Sequence, residues 1–439
     1  MRNEVLINNI AGKRGLHPVK TSKATMAFST SHSLEILRSK TNLMEEVLLR
    51  DNMMAALKKV CQNNGCPGVD GMSVSELSTY LEKEWPRIKD YLLQGQYKPM
   101  SIKMMKIPKQ GGGFRTLGIP TVLDRLIQQS LLQILQRYID SSFSKDSFGF
   151  RPKKSAHMPV ERARGIIKGG KEVMIDLDIE KFFDRVNHDR LMSKLFSMIK
   201  DQRILDLIRR YLNSGLSYQG VPQGGPLSPL ISNIYLDDLD KELTRRKLSF
   251  VRYADDILIF VKTEQEANGV IIGVKKYLCT KLKLKINEAK SGIGKSAKFL
   301  GFYITKRSLG VDKDSVKAFK NKIREHTKIR GGKSMEQILR ELKPIIRGWG
   351  NYFAPQTLKT TFTMLNGWIR RRIRACYYKQ LKNGKARLVA FIAAGIGYDR
   401  AYRYAYSSRG KWYASQSDVI REVLNNKRLK GMGLINLEC

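Results

Sequence analysis

The chain predicts an α+β fold, a helix-rich body around a small antiparallel sheet, followed by a strongly basic helical end. Three observations carry this. Phe250 to Phe260 reads as strand, tight turn and strand, with apolar, β-favouring flanks around Asp255-Asp256. Val173 to Ile179 and the two arms beside Gly111-Gly112-Gly113 add further β pattern, while most other segments repeat their apolar residues at helical spacing. Residues 301–439 hold 30 Lys and Arg against 9 Asp and Glu, a net +21, mostly within helical patterns.

That basic end is part of a wider imbalance. The 439 residues carry 80 Lys and Arg against 40 Asp and Glu, giving +40. Such an excess strains a compact fold by self-repulsion unless a polyanion neutralises it, which makes nucleic acid the leading partner. A membrane surface is the competing partner, but no apolar run reaches spanning length, so no membrane partner is expected. The N-terminus offers no secretory apolar region. The five cysteines are scattered, and Cys61-x4-Cys66 lacks a second ligand pair. A reduced, intracellular protein without zinc or disulfides is the expectation.

Taken in order, residues 1–41 are basic and weakly periodic, a disordered or loosely docked arm. A helix is expected from Leu43 to Val60, then a turn at Asn63–Gly71, then Ser73 as an N-cap with Glu76 in capping-box position. Ile102–Lys109 and Phe114–Pro120 form a hairpin with a glycine tip. Lys109 and Arg115 beside that flexible backbone suit a triphosphate, although a solvated surface hairpin reads equally well. Helices come next at Asp124–Tyr138 and Ser155–Ile167. The strand at Val173 then sets Asp176 and Asp178 on one face if it stays regular. Helices at Leu191–Met198 and Ile204–Leu212 lead to the loop Pro222-Gln223-Gly224-Gly225-Pro226, which exposes backbone to a substrate. After the Asp-Asp hairpin come a helix at Gln265–Leu282 and one short strand at Phe299–Ile304. Basic helices at Ser315–Ile329, Met335–Ile346 and Leu358–Lys382 complete the pattern. In the last, arginines interleave with aromatics, offering phosphate contacts and stacking faces.

Two adjacent carboxylates serve one site only from a turn, and they repel unless a cation lies between them. On its own the Asp255-Asp256 pair also fits plain turn chemistry on a surface hairpin. With Asp178 from the earlier strand, the three acids can converge on a pair of divalent cations, as two-metal phosphoryl transfer requires. Oxygen ligands suit Mg²⁺. The five histidines are dispersed and read as structural.

These residues resemble a known family. Phe250 to Phe260, with Tyr253-Ala254-Asp255-Asp256 at its centre, looks like the catalytic hairpin of reverse transcriptases. Asp178-Ile179-Glu180-Lys181-Phe182-Phe183 resembles their first aspartate motif, whose aromatic lies five residues after the metal ligand; that spacing selects Asp178, not Asp176. The resemblance implies two Mg²⁺ ions, with Mn²⁺ as a substitute, on Asp178, Asp255 and Asp256. It implies that Phe183 screens the sugar, that Gln223 and Gly224 meet the nascent pair, and that Lys109 and Arg115 grip the dNTP triphosphate. Lys285 to Ser291, with Lys290, and Phe299-Leu300-Gly301-Phe302 match late palm motifs, the second being the primer grip with Gly301.

The resemblance narrows to the group II intron-encoded enzymes of bacteria. Asn42 to Ile304 is similar to them, including Asp124 to Gln129. Arg347-Gly348-Trp349-Gly350-Asn351-Tyr352-Phe353 and Trp368 to Arg374 look like their thumb, or maturase, region. Arg347, Trp349, Arg370, Arg371, Arg372 and Arg374 are the implied contacts to RNA and primer–template. Gly410 to Leu434 resembles the DNA-binding end of class C-like members. The implied architecture is a right-hand polymerase: a basic extension over 1–41, fingers over 42–170, palm over 171–306, thumb over 307–385 and a small DNA-binding-like region over 386–439.

The implied activity is RNA-directed DNA synthesis joined to assistance of splicing. Its partners are group II intron RNA, an RNA template with DNA primer, target DNA and dNTPs, in a bacterial cytoplasm and on the nucleoid when DNA-bound. Two departures stand out. The sequence ends without the Cys- and His-bearing nuclease domain of some relatives. Ser214–Val221 is shorter than the usual hairpin before the Gln-Gly-Gly loop. Two other functions compete: a splicing factor with a silent polymerase site, and a stand-alone bacterial reverse transcriptase of a defence or diversity-generating system.

Overall fold

A computed structural model describes residues 30–108, 113–215, 219–328, 332–356, 359–408 and 410–437. The chain forms two compact units, residues 1–295 and 296–439. The first begins with α1 (Thr30–Ser39), α2 (Leu43–Val47), α3 (Arg50–Asn63) and α4 (Leu77–Leu93). Residues 1–29 of the predicted N-terminal arm lie outside the described residues, but α1 is docked: its Leu37 is fully buried and Arg38 Nε donates to the Ser197 carbonyl at 3.1 Å. The single helix expected from Leu43 to Val60 is two helices. Leu49 takes an extended conformation (φ −56°, ψ 138°), and the Asn52 side chain donates to the Val47 carbonyl freed by the break. Glu76 bonds back to the Ser73 N–H at 2.7 Å as expected, yet α4 begins only at Leu77.

Strands β1 (Lys103–Pro108) and β2 (Phe114–Ile119) pair antiparallel, Lys103 opposite Ile119. The glycine tip, with Lys109, Gly111 and Gly112, lies outside the described residues. Then come α5 (Val122–Ile139), α6 (His157–Lys168), β3 (Val173–Leu177), α7 (His188–Met198), α8 (Gln202–Asn213) and α9 (Ser228–Arg245). Thr121 caps α5 by accepting from the Asp124 N–H. β4 (Ser249–Tyr253), β5 (Asp256–Val261), α10 (Glu264–Lys281) and β6 (Gly292–Gly294) finish the unit.

The central sheet has the order β4-β5-β3-β6, all neighbours antiparallel. β3 and β5 are apolar on both faces except where they carry acids, because helices cover them: Ile175, Leu177, Ile257 and Ile259 are at most 1% exposed. They join α5, α7, α8 and α9 in one continuous core. Burial of this extent drives folding at roughly 25 cal/mol per Å² of apolar surface. It also holds the ends of β3 and β5 rigid.

In the second unit, β7 (Ser296–Phe299), β8 (Phe302–Thr305) and β9 (Leu309–Val311) form a small sheet. The one strand expected at Phe299–Ile304 is therefore a hairpin. Leu300 (φ 51°) and Gly301 (φ 79°) make its turn, a left-handed pair that the apolar run conceals. The unit continues with helices α11 (Lys313–His326), α12 (Met335–Phe353), α13 (Lys359–Gln380), α14 (Gly384–Ala393), α15 (Tyr398–Ala405), α16 (Asp418–Val423) and α17 (Asn426–Gly431). α12 runs seven residues beyond its expected end at Ile346, because its apolar stripe continues through Gly350 to Phe353. The small sheet belongs with these helices: Phe302 packs edge-on to Phe353 with centroids 5.0 Å apart, and Tyr352 donates its hydroxyl to the Leu300 carbonyl at 3.0 Å.

Candidate active site

The β4–β5 hairpin closes through Tyr253 opposite Asp256, leaving Ala254-Asp255 as a two-residue turn. Ala254 sits at φ 56°, where a Cβ is strained, so something must hold it. The holder is Arg252, fully buried. Its guanidinium donates to the Ala254 carbonyl at 2.9 Å, to Asn233 Oδ1 at 2.9 Å and to both oxygens of Asp240 at 2.8 and 2.6 Å. Burial pushes the Asp240 carboxyl up, and the two-pronged contact with Arg252 opposes that rise. Beneath the turn runs Gly149, where a Cβ would lie 2.4 Å from the Ala254 nitrogen. Glycine is required there by close approach. Asn233 completes the clamp by donating to the Gly149 carbonyl at 2.8 Å.

Asp178 comes directly after β3. Its N–H donates to Ser291 Oγ at 2.9 Å and its carbonyl accepts from the Asn287 N–H at 2.9 Å. Ile179 bridges Ile286, and the Glu180 N–H donates to the Lys285 carbonyl at 2.8 Å. The segment Lys285–Ser291 thus braces the strand where the acid leaves it. Lys181, at φ 46°, then turns the chain into one helical turn, Phe182–Arg185, and half-buried Phe183 faces the same cleft.

That cleft has a volume of about 990 Å³, and Asp178, Asp255, Asp256, Phe183, Arg115, Gln223 and Lys290 all line it. Lys290 Nζ lies 3.8 Å from Asp178 Oδ2. Burial, with repulsion from Asp255, Asp176 and Asp178, pushes Asp256 up to about 6. Asp176, on β3, is pushed up to about 6 by burial and by Asp178. Burial raises Asp255 as well, with Arg115 pulling the other way. The motif spacing set Asp176 aside, yet it belongs to this acidic cluster; its place one turn of the pleat from Asp178 was the available signal.

Do these residues fit a metal? Among the described residues no three His, Cys, Asp or Glu side chains are already drawn together as a coordination cluster. The chemistry nevertheless fits. Asp178, Asp255 and Asp256 line one cleft, and burial with repulsion between neighbouring acids raises Asp255 and Asp256, a penalty on the ionised form that hard divalent cations would relieve.

The opposite wall comes from the β1–β2 hairpin. Arg115 donates to Gln223 Oε1, and the Gly118 N–H donates to the Gln223 carbonyl at 2.8 Å. Gly224 has φ 134°, and a Cβ there would meet the Gly118 carbonyl oxygen at 2.4 Å, so loop and hairpin touch backbone to backbone. Lys109 lies outside the described residues, as does Leu216–Tyr218 of the shortened segment. The residues after that gap are well held: Gln219 bridges Asn187, the Val221 N–H donates to the Phe183 carbonyl at 2.6 Å, and buried His188 contacts the Gly220 carbonyl at 2.6 Å.

The remaining predicted residues lie in the unit 296–439 and divide by environment. Gly301 packs against Ser315 and Phe353. Trp349, half-buried, has its ring stacked on Phe319 at 4.4 Å and tilted against Phe353 at 4.6 Å. Arg372 donates to Thr327 Oγ1 at 2.8 Å, tying α13 to α11. Arg347 is exposed on α12. Arg370, Arg371 and Arg374 meet around a second cavity.

A carboxylate-lined cleft at the exit of antiparallel strands, faced by a basic hairpin, suits metal-assisted phosphoryl transfer. Residues 107–304 match the family described as reverse transcriptase (RNA-dependent DNA polymerase), and residues 316–390 match the group II intron maturase-specific domain. The chain belongs to the reverse transcriptases and carries a group II intron maturase-specific domain. It is 30% identical over 273 residues to protein YkfC of Escherichia coli K12, covering 52% of this chain and 72% of that one. It is 28% identical over 356 residues to the group II intron-encoded protein LtrA of Lactococcus lactis subsp. cremoris, covering 64% of this chain and 59% of LtrA, so it spans less than two thirds of that relative. Among solved structures, telomerase of Candida tropicalis in complex with a telomeric RNA fragment matches with a TM-score of 0.42 at 14% identity, over 80% of this chain and 67% of that one.

Proposed function

We propose that the chain is an RNA-directed DNA polymerase encoded by a group II intron, which binds the intron RNA to assist its splicing and copies it into cDNA during retrohoming. The observation that carries this is the convergence of Asp178, Asp255 and Asp256 on one cleft with Arg115 and Gln223 across from them. Asp178, Asp255 and Asp256 would hold two Mg²⁺ ions, with Mn²⁺ as a substitute. Divalent ions bound there supply charge neutralisation to an attacking 3′-hydroxyl and a departing pyrophosphate. The chain's own residues position the reactants. Arg115, together with Lys109, binds the triphosphate of the dNTP. Gln223 and Gly224 present amide and backbone to the nascent pair, and the Phe183 ring closes the side of the cleft toward the sugar. Arg252 keeps Asp255 at the turn.

On this account residues 42–170 are fingers, 171–306 palm, 307–385 thumb and 386–439 a DNA-binding-like end. The excess of basic charge after residue 300 serves the intron RNA, the primer–template and the target DNA. Among the described residues no helix is long and apolar enough to cross a membrane. The proposed setting is a bacterial cytoplasm, with the protein on the nucleoid when DNA-bound. The two activities separate in one variant. Asp255→Ala removes an acid from the cleft of residues 1–295 and leaves the sequence of 296–439 unaltered. It is expected to abolish cDNA synthesis while intron RNA binds and splices as with the unaltered chain; a parallel fall in splicing without unfolding would refute the division of labour.

A further inference from the structure

The second cavity, of about 590 Å³, is lined by Arg370, Arg371 and Arg374 on α13 and by Arg421 on α16, with Gln416 and Asn426 among its neutral members. Four arginines share it, and among the described residues no carboxylate lines it. Nearby Glu422 is paired with Arg400 at 3.1 Å. Three of the four, Arg370, Arg371 and Arg374, are held in place by neutral groups. Arg374 Nε donates to the Leu424 carbonyl at 2.9 Å and its Nη2 reaches Asn426 Oδ1 at 3.3 Å. Arg370 reaches Asn436 Oδ1 at 3.4 Å. Arg371 lies over the Trp412 ring, 3.8 Å from its centroid, and its buried Nε has no partner.

Like charges fixed together without a counter-ion are costly unless an anion arrives, and a donor buried without an acceptor adds to that cost. Burial and the neighbouring Arg370 and Arg421 pull the Arg374 guanidinium below its ordinary value, and burial with Arg421 does the same to Arg371. The donors still free point to an acceptor with several oxygens, and a phosphate matches forked guanidiniums in geometry as well as charge. The volume exceeds what a lone phosphate ion fills, which leaves room for the strand on either side of it.

We propose that the cavity between α13 and α16 is a phosphate-binding site for a nucleic-acid strand, in which Arg370, Arg374 and Arg421 grip one phosphodiester and Arg371, stacked on Trp412, completes the positive wall. This rests on the nucleic-acid-binding function above and sharpens it. It adds Arg421 to the contacts and assigns Arg372, whose fork is spent on Thr327, to structure.

The test is binding of single-stranded RNA and DNA oligonucleotides of one mixed sequence to the full chain, read by fluorescence anisotropy across a salt series. Unaltered protein, Arg421→Gln, and the double variant Arg370→Gln with Arg421→Gln are compared. The double variant is expected to lose about tenfold or more in affinity. Its plot of log affinity against log salt should flatten by roughly 0.7 for each phosphate no longer neutralised on a single strand. Arg421 is exposed at the rim, so the single variant keeps the test decisive should the double one fold poorly. A loss confined to RNA or to DNA supports the pocket and identifies the strand it takes. Unaltered protein that binds while both variants keep its affinity and slope overturns the pocket alone. Unaltered protein that binds neither strand overturns the nucleic-acid function itself.

Discussion

Arg252 illustrates how much one buried charge can organise. It fills the core position of β4, bonds Asp240 with two prongs, and holds the carbonyl of the strained residue just before Asp255. Removing one partner of such a pair leaves the other charged and dry, which costs about 3–5 kcal/mol. Arg252→Met is therefore expected to lower unfolding free energy by about that amount in urea titrations. Asp240→Asn, which keeps a hydrogen-bond acceptor for the guanidinium, should lose less. The acidic cluster at and beneath the cleft gives a second expectation. Asp176 and Asp256 have folded-state values of about 6, raised above the ordinary 3.8. Their contribution to metal-free stability is present below the ordinary value and is lost as pH rises through about 6. Cations reverse the sign by favouring the ionised form. Thermal melts should show added Mg²⁺ raising Tm more at neutral pH than below pH 6, where protons occupy the same oxygens; equal shifts at both would contradict the clustering of these groups.

At the level of elements, the cleft depends on backbone meeting backbone. Gly149 under the Asp-Asp turn and Gly224 against Gly118 leave no room for a Cβ. Gly149→Ala must lift the hairpin or shift the segment beneath it, and overpacking of this kind costs about 1–3 kcal/mol. The expected result is cDNA synthesis reduced tenfold or more with only a modest drop in Tm, because the displaced atoms adjoin Asp255. Much of this architecture was legible in the residues. The β1–β2 and β4–β5 hairpins were, because apolar alternation on both sides of a short polar turn has few other meanings, and the pairing of Asp178 with Asp255-Asp256 came from their motifs. The clamp was not. An arginine within a strand reads as a surface residue, and its partners Asn233 and Asp240 lie on α9, seven residues apart and on one face. The turn at Leu300-Gly301 and the break at Leu49 escaped for the opposite reason: leucine there continues an apolar pattern while the backbone departs from it. Trp349, expected beside its arginines as an RNA contact, also packs among Phe319, Phe353 and Phe362, a packing role its basic surroundings in the sequence concealed.

For the molecule as a whole, chemistry and grip are assigned to different stretches of chain. The acids and the β1–β2 hairpin belong to residues 1–295, while the arginine cavity and the maturase-specific match belong to residues 296–439. A net charge of +40 makes the grip steeply salt-dependent whichever strand is bound. Raising salt should therefore weaken RNA affinity in unaltered protein and in Asp255→Ala alike, with equal slopes, since that carboxylate lies in the cleft and not in the basic cavity. The central claim is that the cleft copies RNA into DNA, and primer extension tests it most directly. Purified full-length chain is given an RNA template, an annealed DNA primer, all four dNTPs and Mg²⁺. Extended cDNA that disappears with chelator and with Asp255→Asn is the predicted result; protein that binds the primed template yet yields no cDNA with Mg²⁺ or Mn²⁺ would contradict it.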